Sequence, residues 1–387
     1  MDKSKIIKIA VPALFALAIL FGFLQRKHLA DFLFGSNSRT LKREGSSTGS
    51  LQGFYEIGQQ LRGSDNSKNT VTFLAVGDII LSRNVLAVMN QAQDSRLPFR
   101  GMETILNSTD FNFANLESPI DPYNEHGIVG GHSMIFGAPN QLVSEILPYY
   151  HFKVINLANN HAFDQGLKGL DATKQALSSV DVQTEGTGET LDEAWQPAVV
   201  TVKNLKICFV GASYASINDN GKTTNNYVAR IEDIERLKAS ITLSKTLCDY
   251  TVATMHAGTE YTREPNSAQV AFAHAAIDDG ADIVIGAHPH WVQTVEKYNG
   301  KYIFYSLGNF IFDQEWSKET TEGLALKITV SKKTLSSLQG PAIKAQLDSI
   351  ELLPVTIENF STPRLATGQE SKKILQEIGQ TETKITP

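Results

Sequence analysis

Cysteine is nearly absent: Cys208 and Cys248 are the only two in 387 residues. So small a number excludes a disulfide framework and a cysteine-built zinc site, both of which need several spaced thiols. Two buried free thiols are expected, Cys208 lying inside the apolar run 206–210, with one bridge between them as the open alternative. A basic excess is absent as well. The formal net charge is −6, and no stripe of Lys and Arg interleaves with aromatic residues, so nucleic acid is excluded as a partner. An anionic polymer likewise cannot be gripped along its length by the overall field. Any anionic substrate must be held locally, by a few arginines or by metal. No internal repeat occurs. What is present, 42% hydrophobic and 20% charged residues, describes a soluble globular body of one large domain or two ordinary ones.

Long apolar runs are also scarce, and only residues 9–24 form one, broken by Pro12 and Gly22. Sixteen helical residues span roughly 24 Å, and Ile6, Ile7 and a snorkelling Lys8 extend this towards the roughly 30 Å of a hydrocarbon core. A cleaved signal peptide is the competing reading. No small-x-small pair follows the run, only Gln25, Arg26, Lys27 and His28, which favours an uncleaved anchor. Lys3, Lys5 and Lys8 on one side nearly balance Arg26 and Lys27 on the other, so flanking charge orients the span weakly. The expected organisation is a membrane anchor over 1–30, a flexible Ser/Gly-rich linker over 31–70, a globular domain over 71–364 and a polar tail over 365–387, whose stretch 369–387 reads as a weak helix or a frayed end.

From residue 71 onward short β-rich runs alternate with helical segments, among them 142–149, 167–179, 231–247 and 266–279. Such alternation argues an α/β domain with a parallel or mixed sheet. The runs 324–330 and 350–357 have no helix between them and are expected to finish a second sheet as antiparallel strands. Six β runs each stop at a residue able to bind metal or substrate. They lead into Asp78, into Asn115 and Glu117, into Asn159-Asn160-His161, into His256, into His288-Pro289-His290 and into Gly308-Asn309. Ligands of open α/β sheets gather outside the carboxyl ends of the strands, so these six ends are expected to converge on one site.

Each residue has a blander reading. His288 and His290 would otherwise be loop histidines. Pro289 pushes His288 towards extended geometry, where residues two apart face one way and both imidazoles address one point. His256 alone would be structural, but beside that pair it reads as a ligand. Asp78 could cap a helix, and Glu117 could be a surface charge before Pro119; both are expected to bind metal. Asn159-Asn160 could be a turn, but the Asn160 amide is a hard ligand tolerated by Mn, Mg, Fe or Zn. His161 could donate a proton without ligating, with Asp164, three residues on, orienting it. Arg83 and Asn309 are candidates for holding substrate oxygens. His126 and His132, in a Gly-rich loop, read as solvated.

Taken in order, Gly77-Asp78, Asn115-Leu116-Glu117, Asn159-Asn160-His161 with Asp164, His256-Ala257-Gly258 with Glu260-Tyr261, Gly286-Ala287-His288-Pro289-His290 and Gly308-Asn309-Phe310 resemble the ordered signature of the CapA family of capsule (poly-γ-glutamate) synthesis proteins. The resemblance spans roughly 71–363. It implies the calcineurin-like metallophosphoesterase superfamily, hence a four-layer α/β/β/α sandwich around a divalent-metal site of one or two ions. It assigns Asp78 to the first metal motif, Asn160 to the amide ligand, His161 to leaving-group protonation, and His256, His288 and His290 to the later histidine ligands. It further implies a single-pass cell-membrane protein with its C-terminal domain extracytoplasmic. The expected partners are the membrane, an anionic capsular polymer or phosphoester substrate, and other capsule-synthesis subunits. Two departures stand out. Ile80 occupies the place of the superfamily's first His, and Glu117 stands in a different setting from its bridging Asp. Two functions follow: metal-dependent hydrolysis, or a non-catalytic polymer-binding subunit of a capsule machine.

Overall fold

Residues 70–79 read Thr-Val-Thr-Phe-Leu-Ala-Val-Gly-Asp-Ile, and their β-branched and aromatic content suits a strand buried on both faces. In the computed structural model, which describes residues 69–216, 226–337 and 340–387, they form β1 (Thr70–Ile79). The described part of the chain falls within a single unit, Gly63–Pro387. The next strands are β2 (Phe111–Leu116), β3 (Phe152–Asn156), β4 (Gln183–Glu185), β5 (Ala198–Val202), β6 (Leu205–Ser213), β7 (Tyr250–His256) and β8 (Ile283–Ala287). They are followed by β9 (Val295–Tyr298), β10 (Lys301–Phe304), β11 (Asn309–Ile311), β12 (Glu322–Ser337), β13 (Gly340–Glu358), β14 (Thr362–Leu365) and β15 (Lys384–Ile385). The longer helices are α1 (Arg83–Ala92), α2 (Asn140–Tyr149), α3 (Gly166–Ser179), α4 (Ile234–Leu247), α5 (Ser267–Asp279) and α6 (Gly368–Glu377).

One sheet runs β14-β13-β12-β1-β2-β3-β4, with β11 also on β1 and β15 on β13; the other runs β5-β6-β7-β8-β10-β9. Strands β1 to β4 are mutually parallel, as are β6, β7, β8 and β10. Side chains alternate across a strand, and here the alternation separates three cores. From β1, Leu74 and Val76 pack outward with Leu86 and Met89 of α1, Leu142 of α2 and Leu170 of α3. Val71, Phe73 and Ala75 point the other way, towards Phe209, Val252 and Ile285 of the second sheet. Aromatic rings fill that seam, Phe73 on Phe111 at 5.0 Å and Phe113 on Phe209 at 5.2 Å. On the far side Leu237 and Ile241 of α4 and Phe272 and Ala276 of α5 cover Val210, Ala253 and Val284. Helices, sheet, sheet and helices make the expected four layers.

Two expectations change, and the open choice between helix and frayed end after 369 falls to the helix. Strand β12 pairs antiparallel with β1 and then with β13, so the late strands widen the first sheet and do not finish a second one. The segment after 365 folds as α6, opened by a Thr367–Glu370 capping box, and Leu375 and Ile378 enter the seam between the sheets. Cys208 and Cys248 form a disulfide, and no free cysteine is left. The expectation of free thiols fails because the crossover from β6 through α4 returns the chain to β7 beside β6. Cys248 follows the last turn of α4, and the two Cα atoms come within 5.7 Å, a separation a bridge accepts. The expected anchor and linker lie outside the described residues, apart from Asn69 and Thr70. Among the described residues no helix is long and apolar enough to cross a membrane.

Candidate metal centre

Strand register brings the polar ends together. Asp78 of β1 pairs with Asn309 of β11 on one side and with Asn115 of β2 on the other. Asn115 pairs with Asn156 of β3, and Asn156 with Glu185 of β4. A row of polar residues thus crosses five parallel strands at one level. In the second sheet His256 ends β7 beside Ala287, the last residue of β8, and His288 and His290 follow at once. Gly77 makes the approach possible: a Cβ there would lie 1.9 Å from the Gly308 carbonyl oxygen. The Asp78 N–H donates to that same oxygen at 3.1 Å.

Six donors gather at this mouth, and all are buried. Asp78 Oδ1 accepts from Asn115 Nδ2 at 2.8 Å, and its Oδ2 from the His288 N–H at 3.2 Å. His256 lies between two carboxylates, its Nδ1 3.7 Å from Asp78 and its Nε2 3.6 Å from Glu117 Oε1. Asn160 Oδ1 sits 2.7 Å from the same Nε2. His290 Nδ1 is 3.6 Å from Asp78 Oδ2 and 2.9 Å from Asn309 Oδ1. Glu117, His256 and His288 offer donor atoms mutually within 4.8 Å, and so do Asp78, Glu117 and His290. Glu117 belongs to both groups, so it stands where a bridging carboxylate would, despite its unfamiliar sequence setting. Ile80, the missing-histidine position, is wholly buried in the core beneath α1.

Burial drives the titration. It raises Asp78 to about 7 against the pull of Asn115 and the His288 N–H. Burial, then the nearby Asp78 charge, pushes Glu117 well above the carboxylate range. Burial, then neighbouring imidazoles, holds His256 and His288 well below the usual histidine value. Burial likewise lowers His290 to about 3. Neutral imidazoles with free lone pairs beside carboxylates that lack a counter-charge are what a cation requires. Both Glu117 oxygens, His256 Nδ1 and His288 Nδ1 have no hydrogen-bond partner among the described residues. Leaving them so would cost about 1–3 kcal/mol apiece. The donor set therefore fits a divalent metal ion.

The histidine pair arrives by a different route from the extended one expected of Pro289. His288 and His290 have φ of 100° and 58°, a region that costs non-glycine residues about 1–3 kcal/mol and persists where the surroundings over-determine it. Their rings still come within 6.0 Å of each other, and His288 within 4.8 Å of His256.

His161 borders the donors, its Nε2 3.7 Å from Glu117 Oε1 and its Nδ1 2.7 Å from Asp164 Oδ2. Asp164 Oδ2 also accepts from the Phe136 N–H at 2.6 Å, and burial raises its carboxyl. Phe136 stacks on His161 at 4.0 Å, and the Arg83 guanidinium lies 4.5 Å from the Phe136 ring centre. Arg83 pairs with Asp313 and donates to the Ser133 carbonyl. Asn309 donates to Gln314 and to the Thr320 carbonyl while contacting His290, so it fixes that imidazole. Asn159, next to the Asn160 ligand candidate, donates to Asn115 and the Leu116 carbonyl and ties β3 to β2. Sequence reading overlooked Phe136, which sits in an unpatterned loop, and named Asn115 only as one of the strand-end candidates, without its hydrogen bond to Asp78. The repeated Asn at the ends of β2 and β3 was the available signal for Asn115.

With this geometry in place, comparison with known proteins is specific. The family model described as "Bacterial capsule synthesis protein PGA_cap" matches residues 72–314. The capsule biosynthesis protein CapA of Bacillus anthracis is 30% identical over 267 residues, covering 67% of this chain and 64% of its own. The PGA biosynthesis protein CapA of Bacillus subtilis is 32% identical over 250 residues, covering 64% of this chain and 65% of its own. The chain thus spans just under two thirds of these relatives' length. A calcineurin-like phosphoesterase structure from Bacillus subtilis overlays with a TM-score of 0.44 at 12% identity, over 80% of this chain and 97% of that one.

Proposed function

The chain belongs to the bacterial capsule synthesis PGA_cap family, and from that membership and the buried donor cluster we propose a membrane-anchored, extracytoplasmic capsule-biosynthesis protein of the poly-γ-glutamate type with a metal-dependent hydrolytic site. The observation that carries the chemistry is Glu117, buried with both oxygens unpartnered and shared by the two groups of donors. Asp78, Glu117, Asn160, His256, His288 and His290 would hold one or two divalent ions (Mn, Zn, Fe or Mg), with Asn309 steadying His290. A metal bound there lowers the pKa of water and neutralises charge developing on reacting oxygens. The Asp164 carboxylate holds His161 by Nδ1, which leaves Nε2 as the atom that gives or takes a proton beside Glu117. Arg83, a cation bordering this mouth and already paired with Asp313, is the proposed contact for an anionic substrate. The substrate class is a phosphoester or an amide of a capsular polymer. The apolar run 9–24 supports the anchor, and the Cys208–Cys248 bridge suits an oxidising compartment outside the cytosol.

The test uses the full chain loaded with Mn or Zn, assayed on phosphodiesters and γ-glutamyl amides. In His161→Asn, turnover is expected to fall about 10²–10⁴-fold with bound metal unchanged. Equal turnover in the fully loaded variant sinks the catalytic role. The second reading, a non-catalytic polymer-binding subunit, is favoured by one observation: Phe136 stacks on one face of His161, which is left only 3% exposed. Capsule production restored equally by His161→Asn and the native chain would establish that reading instead.

A further inference from the structure

The loop between β2 and α2 turns apolar side chains outward. Tyr123, Val129, Met134 and Ile135 all belong to it, Met134 being 69% and Ile135 52% exposed. Its base is closed, since the Ile128 N–H donates to the Gly137 carbonyl at 2.8 Å, so residues 129–136 form a tip. Arg83 holds that tip in place. Its N–H donates to the Ile128 carbonyl, its carbonyl accepts from the Gly130 N–H, and its guanidinium reaches the Ser133 carbonyl. Phe136 turns inward onto His161 while Met134 and Ile135 turn out. Residues 127–139 contain no Asp, Glu, Lys or Arg. Across the mouth Trp316 is 61% exposed and meets Tyr261 at 6.0 Å, which in turn lies 6.2 Å from His290. His290 contacts Phe312, and Phe312 contacts Phe136. The tip and Trp316 thus flank the donor cluster from two sides.

We propose that the tip, together with Trp316, inserts into the surface of a lipid bilayer and seats the mouth of the metal centre against the membrane. The inference rests on the membrane-anchored reading above. A tip whose one ionisable side chain is the exposed His132 offers little counter-charge to an anionic polymer or a charged protein face, whereas apolar side chains beside an indole are what the headgroup boundary accepts. The same chain supplies the proximity: 45 residues separate the apolar run 9–24 from β1. Gly130 and Gly131, with positive φ and open space around them, let the tip adjust to that boundary. With no Lys or Arg in the tip and His132 as its one ionisable group, insertion assayed at pH 8 is expected to depend little on salt or anionic lipid.

Full-length protein carrying Met134→Trp, reconstituted into phosphatidylcholine vesicles with brominated acyl chains, provides the test. The fluorescence added by the substitution, read as the difference from the native chain, is expected to shift to the blue and lose most of its intensity. The loss should be the same with or without phosphatidylglycerol. Protein that floats with vesicles but whose added emission is unquenched overturns the inference and leaves the anchor standing. Protein that does not float overturns both. Quenching confined to anionic vesicles assigns the contact to charge, and a response to soluble polyglutamate in place of quenching assigns the tip to the polymer; either result overturns insertion.

Discussion

Glu117 and Glu185 are both wholly buried carboxylates at the same edge of the first sheet. Burial pushes both upward, Glu185 to about 8. Both leave an oxygen without a partner among the described residues. The surroundings differ. Glu117 has His256, His288 and His290 beside it, each held neutral by burial and with a lone pair to give. Glu185 has Thr254, whose hydroxyl donates to it at 2.5 Å, and no histidine. The space around it is also filled: a Cβ on Gly211 would fall within 2.9 Å of Asn156, Thr254 and Glu185 together. A buried carboxylate with a spare oxygen is therefore not in itself a metal site. Convergent lone pairs make it one, and where they are missing the group stays protonated instead.

Four experiments bear on that contrast. The largest effect is expected on metal content: Glu117→Gln loses its bound divalent ion by elemental analysis, and Glu185→Gln keeps it. Loss in both would erase the distinction. Chelation comes next. Removing an ion present at a thousand times its Kd costs about 4 kcal/mol of stability, expected in the native chain and in Glu185→Gln but absent in Glu117→Gln, as read by thermal unfolding. Third is pH. The Glu185 carboxyl titrates higher folded than unfolded, so the cost of ionising it is absent below the ordinary value of 4.5 and grows until about pH 8. Across that window the native chain should lose up to about 1.4 kcal/mol per pH unit relative to Glu185→Gln. Parallel stability curves at pH 5 and 9 would refute a protonated Glu185. The smallest effect is Thr254→Val, which removes the one donor to Glu185 and should cost about 1–2 kcal/mol in denaturant unfolding with metal content untouched.

Much of this was legible in the chain because strand ends are punctuated. Asp78, Glu117, Asn160, His256, His288 and His290 each follow an apolar β run, and a parallel sheet delivers such ends to one edge without needing them adjacent in sequence. The alternation of β runs with helical segments likewise announced an α/β domain, while the four layers came only with the family resemblance. Hidden features depend on returns of the chain that no local pattern encodes. The left-handed backbone at His288 and His290 is imposed by packing that overrides the preference Pro289 suggests. The Cys208–Cys248 bridge depends on where a crossover comes back. Phe136 reaches His161 from a loop with no periodicity, and Glu185 looks like any glutamate until β4 is placed beside β3.

The first and second sheets meet at the donors. Asp78 and Glu117 come from one sheet and His256, His288 and His290 from the other, and the hydrogen bond from the His288 N–H to Asp78 joins residues 210 apart. Contacts so distant along the chain carry a large loop-closure entropy, which the packing of both sheets must offset. The ligand set is therefore complete only when the two sheets have docked, and ion uptake reports that docking. A nascent or truncated chain ending before β8 would carry Asp78, Glu117, Asn160 and His256 but neither His288 nor His290, and is expected to hold an ion poorly until those last histidines arrive.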